Sequence, residues 1–248
     1  MRTVRAMSLA LLFAAVAAPA SAQIVQSVAF GAGFFQPRGF DRRVDGDTLV
    51  ANLTQPDVLP GVSGSLSFDI GEFRGMPLFG EWNLGINKHI EFSAGLSYFT
   101  NKVDSVYLDL VNGQQNNSEI EQELRLTMIP ISGLVRFFPN GDPTGIQPYV
   151  GGGIAIIPFR YTETGDFVDV NTPGLDIYNA KYTAKGTAFG PVILGGVRFP
   201  LGGDVYGLTV EGKYQFANGK TGGAAAGFLG DKIDLSGGTI QGGFLIRF

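Results

Sequence analysis

The sequence predicts an all-β chain that closes into an eight-stranded, antiparallel, up-and-down barrel. Two observations carry the prediction. Eight segments alternate apolar and polar residues with the period of a strand, and the connections between them alternate between short turns and long polar segments. Composition agrees: 37 glycines, 20 phenylalanines and 8 tyrosines in 248 residues suit Gly-rich turns and aromatic strands. Beyond the first twenty or so residues, no apolar run has the length of a membrane-crossing helix.

The first segment, SVAFGAGFF, places Val28, Phe30, Ala32 and Phe34 on one face and Ser27, Ala29, Gly31 and Gly33 on the other. LFGEWNLGIN opposes Leu78, Trp82, Leu84 and Ile86 to Glu81 and Asn83, and IEFSAGLSYFT opposes Ile90, Phe92, Leu96 and Tyr98 to Glu91 and Ser93. In LRLTMIPISGLVRFF, Leu124, Leu126 and Met128 are the apolar set before Pro130, and Ile131, Val135 and Phe137 after it. One extra residue inverts a strand's phase, so a β-bulge is expected at or beside Pro130. QPYVGGGIAIIPFRY and TAFGPVILGGVRF are apolar on both faces for part of their length; flanking turns and length assign them as strands five and six. YGLTVEGKYQF opposes Tyr206, Leu208, Val210 and Tyr214 to Thr209, Glu211 and Lys213, and IQGGFLIRF is the eighth segment, expected to pair with the first around Phe30 and Phe34.

Short connections rich in Pro, Gly, Asn and Asp follow strands two, four and six. Long polar segments occupy residues 38–75, 102–121, 162–185 and 217–232. A compact soluble domain seldom carries four such loops. In an up-and-down barrel all four fall at one end, and the three short turns fall at the other with both chain ends.

The first residues set the compartment. Arg2 and Arg5 precede an apolar stretch too short to cross a bilayer, and Ala20-Ser21-Ala22 is a small-residue cleavage pattern. A cleaved signal helix over residues 1–22 and one domain over 23–248 are expected. Removing Arg2 and Arg5 leaves 16 basic against 22 acidic residues, net −6. An acidic chain of this kind makes a poor nucleic-acid binder. There is no cysteine, which excludes disulfides, thiol nucleophiles and thiolate-held metals.

Alternation alone does not say which face meets water, since a soluble barrel and a membrane barrel alternate alike. The loop asymmetry matches the short periplasmic turns and long external loops of membrane barrels. Phe79, Tyr98, Tyr149, Phe159, Tyr161, Phe189, Phe199, Tyr206, Tyr214, Phe216 and Phe248 fall near strand ends, as two interfacial girdles require. The expected fold is therefore a transmembrane barrel, with no sheet edge left in hydrocarbon. Its charged strand residues Glu81, Glu91, Arg125, Arg136, Arg198, Glu211, Lys213 and Arg247 must then face the lumen and pair. Eight strands enclose a lumen that side chains fill, which disfavours an open pore.

With the QPYVGGGIAI strand start and the GGFLIRF ending, the chain resembles the eight-stranded outer-membrane β-barrels of Gram-negative bacteria, the group of the OmpA barrel, OmpX and OmpW. The resemblance implies an outer-membrane location. It also implies an assembly signal in Phe244, Ile246 and Phe248, read by the outer-membrane assembly machinery. Outer-membrane lipid and lipopolysaccharide are the expected partners, and a monomer the expected state. A structural or surface-interaction role through the long loops is expected, with an OmpW-like conduit for small apolar molecules as the alternative. No enzyme, cofactor or metal site is expected. The single histidine, His89, reads as a solvated turn residue. The aspartate groups Asp41, Asp45, Asp47 and Asp166, Asp169, Asp176 lack a calcium-loop pattern and read as solvated loop residues.

Overall fold

The computed structural model describes residues 24–38, 66–67, 70–113, 117–142, 144–169, 176–228 and 231–248. The expected signal segment and the Asp41, Asp45 and Asp47 group lie outside the described residues. Eight strands form the wall: β1 (Val25–Pro37), β2 (Leu78–Gly85), β3 (Ile90–Asn112), β4 in two runs (Ser118–Met128 and Ile131–Phe137), β5 (Gln147–Asp169), β6 (Asp176–Pro200), β7 (Tyr206–Gln215) and β8 (Gly237–Arg247). Each pairs antiparallel with its chain neighbours, and β8 returns to pair with β1. The seam sets Phe30 opposite Phe244 and Phe34 opposite Ile240, as the alternation of the two end segments predicts.

Register fixes the shape of the ring. Stepping across paired residues from Gln36 leads through Gly238, Tyr214, Ile193, Gly152, Val135, Phe92 and Leu84 back to Gln26. The circuit closes ten residues lower on β1, a stagger that tilts the strands by about 40°. At the seam Gly31 faces Gly243, and a Cβ on Gly243 would lie 2.7 Å from the Phe79 ring. Gly243→Val is expected to lower folded stability by about 1–3 kcal/mol, read as an earlier midpoint in urea unfolding.

The expected bulge at Pro130 is absent. Phe99 pairs with Met128 and Leu96 with Ile131, and on the other side Met128 pairs with Phe159 and Ile131 with Ile156, so one register runs through the proline. Pro130 lacks only its N–H. Its carbonyl accepts from the Ser97 amide at 2.9 Å, and the Ile129 amide donates to the Pro158 carbonyl at 2.9 Å. Inward positions stay even-numbered throughout: Leu124, Leu126 and Met128, then Leu134 and Arg136, are all buried. What inverts is the surroundings. Toward the turn end, exposed Ile131, Val135 and Phe137 face outward and Arg136 faces the lumen; toward the loop end, Arg125 faces outward and leucines face the lumen.

The long segments 102–121 and 162–185, expected as loops, are largely wall. β3 continues into β4, and β5 into β6, as two tall hairpins. Their alternation sets inward Val103, Ser105 and Tyr107 against outward Lys102 and Asp104, the reverse of the pattern lower down. A register shift does occur in this region, between Val106 and Val111 of β3. β1, β2, β7 and β8 end much lower, so β3 to β6 rise at the loop end as a half-wall. Its concave side is packed by Phe73, Phe228, Ile233 and Leu235, which join Phe99, Leu124, Leu126, Ile157 and Tyr161 in one apolar cluster.

Candidate functional site: the lumen

The outer surface shows where the barrel meets lipid. From the turn end upward, every outward position on β3 from Ile90 to Tyr98 is Ile, Phe, Ala, Leu or Tyr. Those nine residues climb about 21 Å at ordinary strand rise and tilt, close to the ~25 Å apolar band of membrane barrels. Exposed Val150, Ile154, Ile156, Phe189, Ile193, Leu208, Val210 and Ile240 continue the belt round the wall. Tyr98, Phe189 and Phe216 rim it at the loop end, and Phe199, Tyr206 and Phe248 at the turn end; all six are exposed. Phe79, Tyr149, Phe159 and Tyr161 do not belong to the girdles; they are buried in the lumen. Water cannot satisfy so large an apolar surface, so the chain spans a membrane.

Inside this belt the lumen is polar. Strand parity delivers Glu81 and Asn83 from β2, Glu91 and Ser93 from β3, Arg136 from β4, Tyr149 from β5, Arg198 from β6, Glu211 from β7 and Gln241 from β8. Arg136 is 1% exposed and sits at the centre. Its Nη2 donates to Glu81 Oε2 at 2.6 Å and to Glu211 Oε2 at 2.7 Å, and its Nε donates to Glu211 Oε2 at 3.1 Å. Nη1 donates to Asn83 Oδ1 at 3.0 Å, to the Ser93 hydroxyl, and to Glu91 Oε1 at 3.5 Å. Arg198 grips both oxygens of Glu91, at 2.7 and 2.6 Å, and lies over the Phe138 ring at 4.9 Å.

Two guanidinium groups thus face three carboxylates. Neutral donors supply the remaining bonds to Glu211: the Tyr149 hydroxyl at 3.1 Å and the Gln241 amide at 3.0 Å. Such a cluster survives burial because its members are hydrogen-bonded as well as paired. It ties five strands together across the lumen through Arg136, Glu81, Glu91, Glu211 and Tyr149.

The expected charged set divides in the structure. Glu81, Glu91, Arg136, Arg198 and Glu211 meet. Arg247 faces inward at the turn end, where it donates to Gln147 and to the Asp204 carbonyl. Lys213 faces inward higher up, among Gln215 and Thr239. Arg125 points outward above the belt and pairs with Glu123 at 2.8 Å, a correction that follows from the unbroken register at Pro130. Sequence reasoning does not count Asn83, Ser93 and Gln241 in the network and assigns Tyr149 to a girdle, although Asn83 and Ser93 lie two residues after a lumen glutamate and share its face.

The network has a cavity of about 550 Å³ below it, open at the turn end and bordered by Lys88, Glu91, Phe138, Gln147, Arg198 and Arg247. Above it, a void of about 20 Å³ beside Ser97, Lys213 and Gln215 has room for one water. Higher still the lumen turns apolar, with Phe35, Phe99, Met128, Ile157 and Phe159 buried together. His89 is more than a solvated turn residue: its Nδ1 lies 2.7 Å from the Phe138 carbonyl, tying two turns together. Gly141, with φ at +58°, allows that approach, since a Cβ there would meet the imidazole. Among the described residues no three acidic or histidine side chains converge on a metal-sized site, and the Asp166 carboxylate instead accepts from Asn179 at 2.8 Å.

No family model matches the chain, and no curated protein matches it. Solved structures of similar fold include three barrels. Ail of Yersinia pestis, solved with the heparin analogue sucrose octasulfate, shares 8% identity over 91% of this chain and 99% of its own, with a TM-score of 0.39. Neisserial surface protein A shares 13% over 91% and 96%, with a TM-score of 0.40. The outer-membrane protein AlkL, solved in lipid bilayers, shares 14% over 94% and 92%, with a TM-score of 0.39. Likeness at this level assigns no role, and the chain's own architecture is that of a closed eight-stranded transmembrane β-barrel.

Proposed function

We propose that the protein is a closed, non-conducting barrel of a Gram-negative outer membrane that holds its half-wall and loops outside the cell for surface contact. Closed barrels of this size with short turns at one end and long loops at the other are built for that membrane. The observation that carries the closed state is Arg136, bonded at once to Glu81, Glu91 and Glu211 across the lumen. An ion crossing this layer would have to displace buried, paired charges, and above it would meet apolar packing. In single-channel recordings from planar bilayers the purified barrel is expected to give no steady conductance. A steady, reproducible conductance would overturn this reading.

A second reading, a conduit for small apolar molecules, is favoured by the apolar lumen above the network. A molecule held there by Phe99, Met128 and Phe159 would find the polar layer closed below it and would have to leave sideways into lipid. Pro158 and Pro191 are natural weak points, because neither donates to its neighbour. Both still accept, from Ile129 at 2.9 Å and from Phe216 at 3.0 Å, so the wall there is bonded. Protein-dependent transfer of a fluorescent alkane into liposomes would move the balance to this reading.

A further inference from the structure

We propose that the outer face of the half-wall, just above the apolar belt, binds the phosphate groups of an outer-leaflet lipid. Four cations stand there at one height on four consecutive strands. Lys102 of β3 is directly opposite Arg125 of β4. Arg125 is opposite Thr162, two residues from Arg160 on β5, and Arg160 is directly opposite Lys185 of β6. All four side chains are exposed and point away from the lumen. Beneath them runs a row of hydroxyls, Thr100, Thr127 and Thr187, with Thr100 and Thr127 bonded at 3.0 Å. Beneath the hydroxyls the belt begins, with Tyr98, Ile129 and Phe189 exposed.

The carboxylates nearby are unevenly shared. Glu123 pairs with Lys102 at 3.0 Å and with Arg125 at 2.8 Å, and Asp104 lies opposite it in register. Among the described residues no carboxylate lies within ion-pair distance of Arg160 or Lys185. The patch therefore keeps a positive excess centred on β5 and β6. Its height is that of the headgroups, immediately outside hydrocarbon, and guanidinium and ammonium groups over a hydroxyl row suit phosphate oxygens. A dissolved anion would be largely screened from so exposed a patch at physiological salt. A lipid is held beside it by its own acyl chains, at high effective concentration. The occupant that fits is thus a phosphorylated membrane lipid, and a glycolipid with two phosphates would span both cation pairs.

The inference rests on the membrane placement of the belt and not on the closed lumen, so conductance and lipid binding fail independently. The test uses the full folded barrel in nanodiscs containing either bis-phosphorylated lipid A or its dephosphorylated form, with co-purified lipid counted by mass spectrometry. Preferential retention of the phosphorylated lipid is expected. In the double variant Arg160→Gln, Lys185→Gln that preference should fall about tenfold, while Arg160→Lys, Lys185→Arg should keep most of it. Boiling-dependent gel mobility checks that each variant is folded. Equal retention of the two lipids would overturn the proposal, as would a preference that the glutamine variant keeps. Competition by millimolar inorganic phosphate that removes the preference would assign the patch to free phosphate and would also overturn it.

Discussion

Replacing Arg136 with methionine is expected to destabilise the barrel by about 3–5 kcal/mol, because three buried carboxylates lose their shared cation. Glu81 and Glu211 each give up their ion pair with Arg136, while Glu91 keeps Arg198. The methionine itself fills a similar volume, so little of the loss comes from packing. The measurement is urea unfolding of the folded barrel in detergent, with gel mobility as the check on closure. The variant Arg136→Met, Glu211→Gln should recover part of the loss, since it removes the carboxylate that accepts from two of the guanidinium nitrogens. A single variant as stable as the parent would mean that the network contributes nothing to the fold. It would also weaken the case that the layer is a permanent closure.

The second large effect concerns Glu163, high on β5 in the half-wall and above the apolar belt. Its side chain is inward and buried, and the Tyr161 hydroxyl donates to it at 2.9 Å. Burial pushes its carboxyl up to about 7 from an ordinary value of 4.5. Below pH 4.5 the group is protonated whether the half-wall is closed or open, and it has no effect. As pH rises toward 7 the open state releases its proton first. The closed state is then penalised by about 1.4 kcal/mol per pH unit. Above pH 7 the loss levels off at about 3 kcal/mol. The half-wall should therefore be more firmly closed in acid than at neutrality. Hydrogen exchange of β5 and β6 amides, corrected for intrinsic rates, should show opening that grows between pH 5 and 7 in the parent; in Glu163→Gln it should be flat. Parallel pH profiles in the two proteins would sink this assignment.

The fold was readable because two signals survive in a bare sequence. Short turns after strands two, four and six order the hairpins, and period-two alternation places the seam between Phe30 and Phe244. The lumen network was readable wherever a charged residue sat within a clean strand, as Glu81, Glu91 and Glu211 do. Pro130 marks the limit of that reading. On β4 the apolar residues change parity, and the common cause of such a change is an inserted residue. Here the residues keep their sides and the solvent changes: lipid lies outside the lower wall, and water outside the upper. A parity rule that assumes one environment per strand must misread a strand that crosses two, and it assigned Arg125 to the lumen for that reason. It also took 102–121 and 162–185 for loops, since their outward residues are as polar as those of any surface turn.

The same change of environment has a mechanical consequence. Sinking the wall by one residue pair would carry Lys102, Arg125, Arg160 and Lys185 toward hydrocarbon, and raising it would lift Tyr98, Ile129 and Phe189 toward water. Either movement is opposed on several strands together, because the belt's upper edge is apolar on β3, β4 and β6 alike, at Tyr98, Ile129 and Phe189. The barrel thus carries its own waterline, and its depth of immersion is set by covalent sequence and not by the bilayer around it. In a membrane thicker than the belt, the lipid must thin to meet the protein.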